Sequence, residues 1–177
     1  EAHALGVMGP EGRGESFGFK EAISIISGTL GKAFGSGGAF LATDKITGEN
    51  LIQNCGAFRY TTALAPPLCA SALAALNLIE SNPTWGRELK EKSIAIRDRL
   101  SQIGWQRPVG EGPIISLILG SDELAIDFQK RLEAQRLLTV AIRPPTVPEG
   151  KSRLRLVIRR NTPIQAIERL ITVLKNK

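Results

Sequence analysis

The amino-acid sequence predicts an α/β protein in two parts, and three observations carry that prediction. Short apolar runs bounded by glycine-rich turns alternate with longer stretches of helical periodicity. The texture changes at Pro83-Thr84-Trp85, from Gly- and Ala-rich before it to regularly alternating charged and apolar residues after it. The order of elements beyond that point, helix–strand–helix–strand–strand–helix, describes a small α/β domain. Residues 1–84 and 85–177 are therefore read as separate domains.

In the first part, Ile23–Ile26 and Gly38–Ala42 are short, apolar and framed by glycine, the texture of buried strands. Pro66–Ser81 is rich in Ala and Leu at helical spacing. A proline pair suits its first turn, where the missing N–H groups have no intrahelical acceptor, and Ser-Asn-Pro closes it. Trp85–Ile103 reads as a long amphipathic helix with Leu89, Ile96 and Leu100 on the apolar stripe. Ile114–Leu119 suits a strand. Ser121 then caps a helix over Asp122–Gln135, whose acidic first turn faces the positive end of the helix dipole. Leu137–Ile142 is a second strand, ended by Pro144-Pro145 because proline lacks a ladder donor. Arg153–Ile158 alternates basic and apolar residues as a half-exposed strand does, and Pro163–Leu174 closes the chain as a helix. Trp85 and Trp105 are read as core or hinge packing.

Bulk properties exclude several function classes. At 177 residues, with 42% apolar and 23% charged residues, the chain has the composition of an ordinary soluble globular protein. No apolar run approaches the roughly 18 residues of a membrane span. The start, Glu1–Gly6, lacks the basic and apolar regions of a signal peptide. Cys55 and Cys69, with a single histidine in the chain, cannot complete a zinc set and are expected to be buried thiols in a reducing compartment, the cytoplasm. The charge is lopsided: 5 Lys/Arg against 7 Asp/Glu before residue 85, and 18 against 10 after it. The basic residues are scattered and stacking aromatics are few, so a solvated basic surface is expected and not a nucleic-acid site.

The segment richest in chemistry is Ser27-Gly28-Thr29-Leu30-Gly31-Lys32-Ala33-Phe34-Gly35-Ser36-Gly37-Gly38-Ala39. One lysine sits among five glycines, which permit positive φ and close approach of backbone to a ligand. A phosphate loop of the G-x-x-x-x-G-K-[ST] kind is excluded, because Ala33 follows Lys32 and the upstream glycine spacing is wrong. A lysine amine on such a loop can condense with an aldehyde to a Schiff base. Taken alone, the loop reads first as a glycine-rich turn with an exposed lysine.

Three other segments accompany it in order. They are Glu1-Ala2-His3-Ala4-Leu5-Gly6-Val7 with Gly9-Pro10-Glu11-Gly12-Arg13-Gly14, then Arg59-Tyr60-Thr61-Thr62-Ala63-Leu64-Ala65-Pro66-Pro67, and finally Ile142-Arg143-Pro144-Pro145-Thr146-Val147-Pro148-Glu149-Gly150 with Arg153-Leu154-Arg155. Together with Ser27–Ala39 they resemble four segments of the α-oxoamine synthases, a family of fold-type I pyridoxal-phosphate (PLP) enzymes, at family-like spacing. The resemblance implies the C-terminal part of the large domain of the aminotransferase-like PLP-transferase fold, followed by a small C-terminal α/β domain. It implies a decarboxylative condensation of an amino acid with an acyl thioester, and the wording of Ile142–Pro148 points to the branch that joins L-alanine to pimeloyl thioester. Lys32 is implied as the cofactor lysine and general base. His3 is implied as the partner of the cofactor's phenolic oxygen, Thr29 as a phosphate ligand, and Thr61 and Thr62 as ligands to the phosphate of a neighbouring subunit. Arg143 and Thr146 are implied as substrate-binding, whereas Arg153 and Arg155 are read as structural. The implied partners are small-molecule substrates and a second copy of the chain in a homodimer, with no nucleic acid and no membrane. Neighbouring reactions with glycine or serine, and a non-catalytic fragment or heterodimer partner, remain alternatives.

The sequence departs from the family pattern in three places. The Asp that precedes the Glu-Ala-His segment, and everything before it, is not in the chain, so the ring-stacking residue and the Asp that pairs with the pyridine nitrogen are expected in further sequence. Ala65 stands where a proline is usual. Arg159-Arg160-Asn161-Thr162-Pro163 stands where small residues and a histidine are usual.

Overall fold

The structure, a computed structural model, describes residues 1–175, with the Lys20 side chain, Asn176 and Lys177 outside the described set. It forms two compact units, Glu1–Arg87 and Glu88 onward. In the first unit, β1 (Ile25–Thr29) and β2 (Ala39–Thr43) pair antiparallel, from Ile25↔Thr43 to Thr29↔Ala39. Helices α1 (Lys45–Asn54), α2 (Gly56–Arg59) and α3 (Pro66–Ser81) follow. Asp44 caps α1, its carboxylate accepting from Thr47 N at 3.0 Å. Neither α1 nor α2 has an expected counterpart. A ten-residue helix interrupted by Gly48 and Thr47 carries too weak an apolar stripe to announce itself.

Three expectations differ from the structure. β1 starts later than Ile23 and runs on through Ser27-Gly28-Thr29, because the partner strand β2 supplies ladder bonds to residues that glycine content alone assigns to a loop. The two strands are also not buried. Four of the five β2 residues are exposed, and among the described residues the ladder has two strands only. Cys55 is half-buried and Cys69 exposed, both as free thiols, so the expectation of buried cysteines fails.

The second unit contains the core. Helix α4 (Trp85–Gln102) enters it from the first unit, followed by β3 (Ile114–Gly120), α5 (Asp122–Ala134), β4 (Val140–Ile142), β5 (Ser152–Val157) and α6 (Ile164–Lys175). The strands form one antiparallel sheet in the order β3-β5-β4. Alternation decides the faces. Ile115, Leu117, Leu154 and Leu156 point into the core with at most 2% exposure. Ser116, Ile118, Arg153 and Arg155 share the other face through the pairs Ser116↔Arg155 and Ile118↔Arg153. Helix α6 adds Ile167, Leu170, Ile171 and Leu174, spaced three and four apart on one stripe. Helix α5 adds Ala125, Phe128 and Leu132.

Polar groups close the unit's ends. Ser121 Oγ accepts from Leu124 N at 3.3 Å, capping α5 as expected. Trp105 packs edge-on against Phe128 with ring centroids 5.7 Å apart, and its indole N–H donates to Leu174 O at 2.9 Å. Buried Arg97 donates to Ser93 O at 3.1 Å and Ile114 O at 2.8 Å, tying α4 to the start of β3. β4 is only Val140–Ile142, shorter than the apolar run from Leu137, because the run's first residues form the exit turn of α5, where Leu137 N donates to Leu132 O at 3.0 Å.

This core assigns stability to identified side chains. Leu154→Ala is expected to destabilise the second unit by about 2–5 kcal/mol, the range for truncating a buried leucine. Val109→Ala, at a side chain 90% exposed, should stay within about 0.5 kcal/mol. Equilibrium urea unfolding of both variants checks the contrast.

Candidate active site: a braced lysine loop

The candidate site in the first unit is built around residues 30–38, the connection between β1 and β2. Leu30 N donates to Gly38 O at 2.9 Å and closes the neck of the loop. Within it, Ser36 N donates to Leu30 O at 2.9 Å and Gly35 N to Lys32 O at 3.0 Å, so the chain doubles back directly after the lysine. Gly35 and Gly38 adopt φ of +57° and +97°, conformations that a side chain resists. Thr29 braces the neck: its hydroxyl accepts from Gly31 N at 3.2 Å and donates to Gly38 O at 3.3 Å. Lys32 sits exposed on this loop.

The His3 segment is docked on the same loop. Glu1 N donates to Ser27 O at 2.8 Å, placing the segment beside β1. The Glu1 carboxylate accepts from Ser16 N at 2.6 Å and Glu15 N at 3.3 Å. Burial pushes that carboxyl up, but the bonds from Ser16 and Glu15 outweigh it and hold it below the usual range. Leu5 packs where a Cβ on Gly28 would stand, 2.7 Å from its Cδ1. A Cβ on Gly6 would lie 3.0 Å from the Ala33 Cβ, so the turn carrying His3 abuts the residue after Lys32. The backbone there requires glycine: Gly6, Gly9, Gly12 and Gly14 all have positive φ.

Thr61 and Thr62 are exposed on the stretch that leads into α3. That stretch is held to the lysine loop at two points. Leu64 fills the space beside Gly38, where a Cβ would meet its Cδ1 at 2.4 Å, and Ser36 Oγ donates to Leu68 O at 2.6 Å. The structure thus brings the segments of His3, Thr29, Lys32, Thr61 and Thr62 into one neighbourhood.

Arg143 and Thr146 belong to the second unit. They frame a turn at the end of β4 in which Thr146 N donates to Arg143 O at 3.0 Å, and both side chains are exposed. The Pro144–Pro145 peptide between them is cis. Arg155 is a candidate that sequence reasoning assigned to structure alone. It lies on the open face of the sheet opposite Val140, and its Nε is buried with no hydrogen-bond partner. The signal was present in the period-two pattern that set Arg153 and Arg155 on one face. What the pattern could not show is that Arg153 Nε is bonded to Lys151 O at 3.0 Å whereas Arg155 Nε is not.

Among the described residues no group of three His, Cys, Asp or Glu side chains could hold a metal ion, and no helix is long and apolar enough to cross a membrane.

A lysine loop between two strands, leading to a small α/β unit, defines the class. Residues 1–174 match the aminotransferase class I and II family, and the chain belongs to it. The particular likeness is to α-oxoamine synthases. The chain is 45% identical over 160 residues to a putative 8-amino-7-oxononanoate synthase of Acetivibrio thermocellus, covering 89% of this chain and 41% of that protein. Its structure matches 8-amino-7-oxononanoate synthase of Francisella tularensis with a TM-score of 0.87 at 28% identity, covering 99% of this chain and 52% of the other. It shares the fold of a serine palmitoyltransferase from S. paucimobilis solved with a bound PLP–myriocin aldimine, with a TM-score of 0.88 at 24% identity over 99% of this chain and 45% of that one. The chain therefore spans about half the length of the relatives it matches.

The two glycines of the loop separate sterics from strain. Gly35→Ala meets nothing within 4 Å and carries only its φ penalty, whereas Gly38→Ala also collides with Leu64. Hydrogen exchange at the Leu30 and Ser36 amides is expected to accelerate by about tenfold or more in Gly38→Ala, and by clearly less in Gly35→Ala.

Proposed function

We propose that the protein carrying this chain is a PLP-dependent acyltransferase that condenses L-alanine with pimeloyl thioester to 8-amino-7-oxononanoate, a step of biotin biosynthesis. The observation that carries the reading is the braced loop that holds Lys32, against which the turn after His3 and the residues following Thr61–Thr62 are docked. These residue types suit a phosphorylated aromatic aldehyde: an exposed primary amine, an imidazole and several hydroxyls lie on segments that dock together, on backbone that glycine lets pass closely. The names of the similar proteins and the wording of Ile142–Pro148 favour alanine and pimeloyl thioester over the partners of 2-amino-3-ketobutyrate ligase, 5-aminolevulinate synthase or serine palmitoyltransferase.

On this reading Lys32 holds the cofactor covalently and, once released, carries the α-proton of alanine. PLP supplies the electron sink that makes that proton removable. His3 would hold the cofactor by a hydrogen bond from its imidazole to the phenolic oxygen. Thr29 can serve the phosphate by exchanging its long bond to Gly38 O for one to a phosphate oxygen. Thr61 and Thr62 serve the phosphate of the neighbouring subunit, which makes a homodimer the active unit. Arg143 pairs its planar fork with the substrate carboxylate, Thr146 adds a hydroxyl, and the unpaired Arg155 Nε supplies a second donor to an anion on that face of the sheet. A carbon–carbon bond forms between the alanine Cα and the acyl carbonyl carbon. The acyl–sulfur bond breaks and the thiolate leaves, taking a proton from solvent; the amino-acid carboxylate departs as CO₂, and the proton held by Lys32 returns to Cα.

A second reading is favoured by the bare apolar surface of the first unit: the chain by itself is a non-catalytic module or a heterodimer partner. Leu41, Leu73 and Leu78 are 46%, 60% and 55% exposed, a surface that other polypeptide ordinarily covers. The two readings part in one experiment on the full-length protein and the 177-residue chain. With added PLP, the full-length protein should show a band near ~420 nm, and borohydride should fix the label on Lys32. Label scattered over surface lysines in both would favour the module. Lys32→Ala should lower product formation from alanine and pimeloyl thioester by about a thousandfold or more. Arg143→Ala should cost about 2–4 kcal/mol in kcat/KM, most of it in KM for alanine. Turnover with another amino acid and acyl pair, and none with this one, would move the assignment to a different α-oxoamine synthase.

A further inference from the structure

The lysine loop has few anchors outside its own hairpin, and one of them is a side-chain bond. Ser36 Oγ donates to Leu68 O at 2.6 Å. Leu68 lies in the first turn of α3, which begins with Pro66-Pro67, and prolines at those positions fix the backbone that leads in from Thr61 and Thr62. The surrounding contacts are tuned to the same junction. A Cβ on Gly37 would stand 3.3 Å from Leu68 Cδ1, and one on Gly38 would collide with Leu64. The loop therefore lies flat against the start of α3, and Ser36 supplies the polar bond that fixes its register there. Ser36 N is itself bonded to Leu30 O, so the hydroxyl is held by the same doubling-back that presents Lys32.

We propose that Ser36 is a positioning residue that ties Lys32 of one subunit's site to the Thr61–Thr62 stretch serving the neighbouring subunit's site, so that cofactor seating at the two is coupled. The inference rests on the reading of Lys32, Thr61 and Thr62 given above. Nothing about Ser36 follows from the glycine pattern of the loop, which would be satisfied by any small residue. What singles it out is the acceptor it has found outside the loop, 32 residues away in sequence.

The test uses the full-length protein and two readouts, PLP affinity and the position and intensity of the band near ~420 nm. Ser36→Ala should weaken PLP binding about fivefold, the scale of one neutral hydrogen bond, and should broaden or shift the band. Ser36→Thr, which keeps the hydroxyl, should restore both. Ser36→Cys, a weak donor of similar size, should fall between them and covers the case in which Ser36→Ala does not fold. A double-mutant cycle with Thr62→Val then separates coupling from local packing. If Ser36 links the two segments, the loss in the double variant is smaller than the product of the single losses by about threefold or more. Multiplying losses, or a Ser36→Ala protein with unchanged affinity and band, would overturn the proposal while leaving the function standing. Absence of the band in the wild-type protein would overturn both, and that result is read without any Ser36 variant.

Discussion

The whole candidate site depends on the bond from Leu30 N to Gly38 O. It closes a nine-residue loop at the end of a two-stranded ladder. A lysine side chain has four rotatable bonds and strong hydration, so an unfixed loop would spread its amine over many positions. The neck bond removes that freedom at the base. The Ser36–Leu30 bond removes it within the loop, and the Thr29 hydroxyl braces the crossing point. Every other segment of the first-unit site docks on this frame: Leu5 on Gly28, Gly6 against Ala33, Leu64 beside Gly38. Two of the glycines are the consequence of that docking. Gly28 and Gly38 stand where neighbouring side chains occupy the space of a Cβ, whereas Gly35 meets nothing and is required by its positive φ.

The two units solve the burial problem differently. The second buries fourteen apolar side chains in one cluster, with helices on one face of its sheet. In the first, among the described residues, the buried apolar side chains reduce to Ala72. Its hydrogen bonds, and not a core, define its local geometry, and exposed hydrogen bonds net little in water. On the reading proposed above, further chain and a second subunit would cover this ladder and account for the contrast. The contrast also bears on assays. A fragment with the second unit intact can unfold cooperatively and still fail to seat a cofactor at Lys32.

How much of this was legible in the sequence depended on which physical signal each segment carried. Periodic elements were readable where their own core covers them. Pro66–Ser81 falls on α3, and the stripe of Leu89, Ile96 and Leu100 packs as its spacing requires. Strand texture was misleading in the first unit, where Ile25, Phe40 and Leu41 look like core residues and are 45%, 38% and 46% exposed. A local pattern reports which residues suit burial, and cannot report whether the partner surface is on the same chain. The candidate residues were legible for a different reason. Lys32, His3, Thr61, Thr62 and Arg143 were found through ordered motifs, while their docking contacts run between segments tens of residues apart. Arg155 escaped because an arginine on an open strand face looks the same in sequence whether its Nε is bonded or buried and unpaired.

That last distinction separates the two arginines of β5 on energetic grounds. Arg153 satisfies its Nε on Lys151 O within its own turn, so its alternation with Leu154 needs no further explanation. Arg155 leaves a buried donor unmet, a cost that a folded protein does not ordinarily retain without return. An anion delivered to that face would recover the cost, since a charge-assisted bond to a guanidinium is about twice as strong as a neutral one. The strand that carries Arg143 to its turn, β4, pairs with Arg155 through Val140, as β3 does through Ser116. Binding of a carboxylate at the end of β4 and satisfaction of Arg155 therefore involve adjacent strands of one sheet. On the reading proposed above, an anion on that sheet face would meet the donor that Arg155 Nε leaves unbonded.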